Sequence, residues 1–314
     1  MSSASAMLSL PGRWTCPSDR PHEHSSEELT ARDPRLHAFR ADLADVRLRG
    51  EVTADRFVAG RPVRISVAVA DIRKAPRTDA GVNTQFLYGD DVLVFETAQG
   101  WSWVQGERDG YVGYVEQAAL SERTGTPTHL VSVPRTFLYP GPDLRLPVSG
   151  RLSMGSALTV AGMAETRGTH YAILPSGEAV IASHLRPVGD HASDYVSVAE
   201  RFVETPYLWG GVSGFGLDCS GLVQLSLRMA GKDALRDSDM QAATLGEPLD
   251  PGPDFSGLRR GDLVFWKGHV AIMTDGQNMI HANGHTMTVA RESLADAVTR
   301  ISYLYGGPTG FRRI

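Results

Sequence analysis

The 314 residues contain only two cysteines, Cys16 and Cys219. That is too few for a disulfide framework in a chain of this length, and it excludes a zinc site built on a Cys-x-x-Cys pair. One bridge between the two stays open, beside the simpler reading of two free thiols in a reducing compartment. No apolar run approaches the roughly 20 residues that cross a bilayer. Basic charge is not in excess either: 31 Lys and Arg against 36 Asp and Glu leave a net charge of −5. A general nucleic-acid binder would need a basic surface, so that class is set aside. The opening segment, Met1 to Pro21, is poor in positive charge, and its apolar stretch from Ala6 to Leu10 is shorter than a signal-peptide core. A cytoplasmic location is therefore expected, with no membrane and no nucleic-acid partner. What remains is the balance of a packed protein, 42% hydrophobic and 21% charged.

Residues 1–60 read as a polar extension followed by short helical signals. Asp33-Pro34 is a helix-start pattern, with Leu36, Phe39, Leu43 and Val46 at helical spacing behind it. His22 and His24 are read as part of a solvated arm, not a metal site. From 61 onward the texture changes to short alternating runs such as Val63 to Val69, Asp91 to Phe95 and Trp101 to Val104, punctuated by Gly and Pro. This is the pattern of small antiparallel barrels. The region repeats at a period of about 65 residues. Pro76 and Pro142 follow the first strand of each unit, Gly89 and Gly155 precede Val92-Leu93-Val94 and Ala157-Leu158-Thr159-Val160, and Leu120 and Leu185 close the two. Two all-β units are expected, at 61–124 and 125–189. In the first, Trp101, Trp103 and Gly110-Tyr111-Val112-Gly113-Tyr114-Val115 resemble bacterial SH3-like domains; the second is a degenerate copy with His170-Tyr171 where the Trp strand should be. Tyr111 and Tyr114 point to opposite faces of an extended strand. A spacer role is expected for the second unit.

The chemistry lies in residues 190–314. Val196 to Val203 has helical spacing and ends at Thr205-Pro206. After Asp218-Cys219 the apolar residues Leu222, Val223, Leu225, Leu227 and Met229 allow a helix that Gly231 stops. Cys219 then sits in the first turn with Asp218 as N-cap. A helix N-terminus stabilises a thiolate, and its unpaired N–H groups can hold an oxyanion. A cysteine there also serves as a small buried apolar residue, so the partners decide. Two apolar runs follow, Arg260 to Trp266 and His269 to Met273, and then Asn278 to Asn283, which contains His281. A thiol needs a base, and the base needs a group that fixes its tautomer. Cys219, His269 and His281 can fill those roles.

Pro206-Tyr207-Leu208-Trp209-Gly210-Gly211, Asp218-Cys219-Ser220-Gly221-Leu222-Val223, Gly261-Asp262-Leu263-Val264-Phe265-Trp266 and Gly268-His269-Val270-Ala271-Ile272 resemble the NlpC/p60 cysteine peptidases, which cleave peptides of bacterial cell walls. The resemblance covers about residues 190–314. It implies an α+β, papain-like catalytic domain preceded by the two SH3-like barrels. It makes Cys219 the nucleophile, His269 the general base and His281 the residue that orients it, without a cofactor. The domain order resembles the cytosolic branch that recycles wall peptides, the γ-D-glutamyl-L-diamino-acid endopeptidases. The substrate then implied is L-Ala-γ-D-Glu-diaminopimelate, or its lysine counterpart, with a free amino end. Tyr207, Asp218, Ser220 and Ser238 would line the cleft, and Tyr111 would cap its amino end. An acidic partner for the ammonium is expected from the first barrel, with Asp79, Asp90 and Glu107 as candidates. Two alternatives stay open: a papain-like amidase or acyltransferase acting on another amide or ester, and a non-catalytic wall-peptide binder. Oligomeric state is not legible.

Overall fold

The computed structural model describes residues 32–314. Cys16, His22 and His24 lie outside the described residues. The helix expected from Asp33 onward does not form. The segment runs instead as turns, a strand Leu43–Asp45 paired in parallel with Arg56–Val58, and a single 3-10 turn at Val46–Leu48. The reason is competition for its backbone. Val112 N–H donates to the Arg35 carbonyl (2.8 Å) and Gln105 Nε2 to that of Leu36 (2.7 Å), while Ala38 and Leu43 bury themselves against Phe95, Trp103 and Val112. Packing on a sheet outweighs a weak local helical preference.

Strands between Arg61 and Ser121 form one seven-stranded antiparallel sheet. Its core holds Val63, Ile65, Ile72, Phe86, Val104 and Val115, with Tyr111 buried among them. Tyr114 turns the other way and is half-buried under Arg40, whose Nη1 donates to its hydroxyl at 2.9 Å. The second unit has eight shorter strands between His129 and Pro187 in three small antiparallel sheets. The repeat-related glycines Gly89 and Gly155 both adopt left-handed backbone, at φ +85° and +87°. A Cβ at Gly89 would overlap the Ala157 carbonyl of the second unit, so the two β units approach through that turn.

The last domain carries helices α1 (Tyr195–Glu200), α2 (Cys219–Met229), α3 (Ser238–Thr244) and α4 (Leu294–Tyr305) around a six-stranded antiparallel sheet. Strand order is Glu247–Pro248, Gly310–Arg313, Asp262–Trp266, His269–Met273, Asn278–Asn283, Thr288–Ser293. The sheet is covered on both faces. Leu263, Phe265, Val270 and Ile272 meet α1 and α2, while the alternate residues Val264, Trp266, Ala271 and Met273 meet α4. A strand covered twice reads as a continuous apolar run. Among the described residues no helix is long and apolar enough to cross a membrane.

Helix α2 is buried on all sides, because the sheet lies on one flank and the first β unit on the other. Three of its four polar residues, Ser220, Gln224 and Arg228, recur every fourth position and so share one face, while Ser226 is buried elsewhere. Gln224 Nε2 donates to Asp109 (2.9 Å) and Arg228 Nη2 to Asp90 (2.8 Å), both carboxylates of the first unit. The second unit supports the loop before the helix, since Ser153 Oγ accepts from Gly214 N–H at 2.8 Å. It is more than a spacer.

Gly89→Ala is expected to lower stability by about 2–4 kcal/mol, the sum of a left-handed alanine and an overlap at the junction of the β units. Urea unfolding measures it; a loss within a few tenths of a kcal/mol would mean that the junction yields freely.

Candidate active site

Cys219 is the first residue of α2 and is buried. Asp218 caps the helix, its Oδ1 accepting from Gly221 N–H at 2.7 Å, and its Oδ2 accepts from Gly210 N–H at 3.0 Å. The same carboxylate takes two bonds from Arg236, Nη1 to Oδ1 at 3.0 Å and Nη2 to Oδ2 at 2.6 Å. Arg236 is 1% exposed. Its other donors reach Ser220 Oγ (2.8 Å) and Thr84 Oγ1 of the first β unit (2.7 Å). Burial opposes the charge of Arg236, but the Asp218 carboxylate outweighs it and raises the guanidinium's pKa. Sequence reading passed over Arg236, although a charged residue directly before Asp237-Ser238 and α3 was there to be noticed.

Burial and the Asp218 charge push the Cys219 thiol up to about 12, against the Val270 and Ser220 N–H groups that favour the anion. Val270 follows His269, which opens its strand. His269 Nε2 lies 2.8 Å from His281 Nδ1 on the neighbouring strand. Burial first, then His281 and Arg300, push His269 down to about 3. Thiol and imidazole are therefore both neutral near pH 7 in the free protein. His281 is almost fully buried, with Glu292 Oε1 at 3.0 Å from its Nε2. Burial would raise Glu292, but its contacts with His281 and Arg300 outweigh that and hold it near 2.

A cleft of about 300 Å³ opens over Cys219. The structure brings Tyr111, Tyr207, Asp218, Ser220 and Ser238 together along it, joined by Asn83, Arg236, Asp237 and the exposed rim residue Trp209. Ser238 comes from the start of α3. Burial raises the Tyr207 hydroxyl, helped by Cys219 and Asp218, so it stays a proton donor. Asp79, Asp90 and Glu107 are not in the cleft. Asp79 is exposed beside Arg77, Asp90 is bound to the buried Arg228, and Glu107 pairs with Arg123. The first unit spends its acidic edge on holding α2. Beside Asp218, the acid that faces the cleft is Asp237, whose Oδ2 accepts from the Tyr111 hydroxyl (3.1 Å) and Arg35 Nη1 (2.9 Å). Burial raises its pKa. Among the described residues no group of three or more His, Cys, Asp or Glu is placed to hold a metal.

The NlpC/P60 family model matches residues 204–306, and the model for the bacterial dipeptidyl-peptidase Sh3 domain matches residues 72–120. The γ-D-glutamyl-L-lysine dipeptidyl-peptidase of Bacillus subtilis is 30% identical over 230 residues, 65% of this chain and 73% of that protein. The chain belongs to the NlpC/P60 family. It is a cysteine peptidase by that membership. The Bacillus cereus protein of the same printed name is 28% identical over 236 residues, 64% of this chain and 67% of that one. The crystal structure of an NlpC/P60 family protein from Bacillus cereus superposes with a TM-score of 0.67 at 23% identity, over 81% of this chain and 99% of that chain. The NlpC/P60 fold and an SH3-like domain at 72–120 are thereby common to both sequence and shape.

Arg236→Met is expected to cost about 3–5 kcal/mol, because it leaves the Asp218 charge buried without its partner. The double variant Arg236→Met/Asp218→Asn should recover part of that loss in urea unfolding. In acid, His269 contributes stability that is complete above its ordinary 6.5 and is lost as pH falls toward 3. For Glu292 the contribution is complete above 4.5 and lost toward 2. Unfolding free energy should therefore fall below pH 6.5, and His269→Gln should delay that fall. A His269→Gln variant with an unchanged acid limb would contradict the assignment.

Proposed function

We propose that the protein is an endopeptidase that hydrolyses the γ-D-glutamyl-L-diamino-acid bond of wall-derived peptides carrying a free N-terminal L-Ala. The diamino acid is diaminopimelate or lysine. With this goes a cytoplasmic place of action, on peptides returned from the wall. The observation that carries the reading is the face that the first β unit gives to the cleft. Tyr111 and Asn83 of the first β unit stand in it beside Asp237, within reach of the helix that bears Cys219. The printed name of the Bacillus relatives, γ-D-glutamyl-L-lysine dipeptidyl-peptidase, agrees with a site that admits two residues before the scissile bond.

The carboxylate of Asp237 has the position and charge to meet an ammonium, since Tyr111 and Arg35 occupy its Oδ2 and leave Oδ1 for a ligand. A free amine pairs with that oxygen; an acylated one brings no charge to it and forfeits the contact. In the reaction His269 takes the Cys219 proton as the sulfur attacks the γ-carbonyl of D-Glu. The Cys219 N–H, with the Tyr207 hydroxyl, holds the oxyanion. The protonated His269 gives its proton to the leaving amine, and water then hydrolyses the thioester. His281 orients His269 throughout. Because the resting thiol is neutral, proton transfer accompanies attack.

Mass spectrometry of L-Ala-γ-D-Glu-diaminopimelate and its N-acetyl form tests this directly. Only the free-amine peptide should be cut, and Cys219→Ala should cut neither. Asp237→Asn should lower kcat/KM for the free peptide by at least about tenfold and erode the preference over the acetyl form. Equal cleavage of both peptides by the unaltered protein would remove the recycling assignment, and turnover by Cys219→Ala would remove the nucleophile.

A further inference from the structure

We propose that Glu292 is a positioning residue of this active site: through His281 it fixes the direction of the His269–His281 hydrogen bond and so leaves His269 Nδ1 able to accept a proton. The inference rests on the reading of Cys219 and His269 as nucleophile and base.

Glu292 lies on the strand next to His281, in the diagonal position, since His281 faces Ala290 and Met279 faces Glu292 in the register. Its Oε1 sits 3.0 Å from His281 Nε2, off the axis of the ring N–H, and Arg300 of α4 grips the same oxygen. That nitrogen is buried. The charged and titratable groups around His281 are thus His269, Glu292 and Arg300.

Two imidazoles joined Nε2 to Nδ1 can share a proton in either direction. If His281 donated from Nδ1, its Nε2 would turn a lone pair toward a carboxylate oxygen in a dry site, and the contact would be repulsive. His269 would then accept at Nε2 and carry its proton on Nδ1, the tautomer that cannot take one from a thiol. With the proton on His281 Nε2, the carboxylate attracts it, Nδ1 accepts from His269 Nε2–H, and His269 Nδ1 keeps its lone pair. Arg300 keeps Glu292 anionic at the pH where the enzyme works, so the bias is permanent.

Nitrogen-15 NMR of the histidine rings in the full chain reads the tautomers without any substrate. His269 and His281 should both be Nε2–H at neutral pH; a His281 protonated on Nδ1 overturns the proposal, with no variant needed. Glu292→Gln, whose amide can face the ring with either atom, should give mixed tautomers and lower kcat by about 10- to 100-fold with KM unchanged. Unchanged tautomers in that variant overturn it. In a His281→Asn background, Glu292→Gln should add no more than about a twofold loss; a tenfold further loss would mean that Glu292 acts elsewhere. Failure of the parent reading looks different, as Cys219→Ala or His269→Ala would keep turning over while the NMR signature stands.

Discussion

The guanidinium of Arg236 holds this active site together. A fully buried charge is costly unless its geometry is complete, and here three of its nitrogens serve four bonds, two to Asp218 and one each to Ser220 and Thr84. Lysine could not reproduce the arrangement, because the planar fork is what meets both carboxylate oxygens at once. Each partner has a second task. Asp218 caps the helix of the nucleophile and ties down the Gly210 turn, Ser220 begins the polar stripe of α2, and Thr84 belongs to a different domain. One ion pair therefore sets the helix start, the loop before it and the docking of the first β unit.

The same pair shapes the electrostatics of Cys219. Asp218 is close enough to Cys219 to oppose its ionisation, and burial opposes it more strongly. A helix terminus normally lowers a thiol's pKa, but its benefit here is offset by its own cap. A neutral thiol at rest is slow to oxidise, since reactivity follows the thiolate. In the proposed reaction it becomes a nucleophile when a base stands ready with the correct tautomer, so the burden of activation shifts from the helix to the histidines. His281 is buried and His269 partly so, and the two rings are bonded to each other.

What could be read in the sequence was local. Asp218 as N-cap, α2 ending before Gly231, and the strands bearing His269 and His281 depend on spacing within a dozen residues, and all are present. Ser238 and Tyr207 came from the family resemblance and do line the cleft. What was missed depends on partners far away in the chain. Leu36, Phe39, Leu43 and Val46 have helical spacing, yet the groups that claim their backbone belong to Gln105 and Val112. Arg35 reaches Asp237 and Asp239 across some two hundred residues. Glu292 carries no motif and gains meaning only from the register that sets it diagonal to His281. One signal was available: Ser220, Gln224 and Arg228 form a polar stripe on an otherwise apolar helix, and such a stripe announces a second packing partner.

That stripe bears on what kind of protein this is. A binding module tethered by a linker could move independently of the catalytic domain. Here Asp90, Asp109 and Thr84 of the first β unit are bonded to residues of α2 or to Arg236, and Met240 of α3 enters that unit's core. The residues that line the cleft from the first β unit, Asn83 and Tyr111, and those that seat the helix of Cys219 belong to the same unit. Shifting that unit to admit a longer peptide would break the Asp90–Arg228 ion pair and the hydrogen bonds of Asp109 and Thr84. Under the proposed function, the limit on substrate length and the seating of the Cys219 helix rest on the same contacts, so selection for either maintains both.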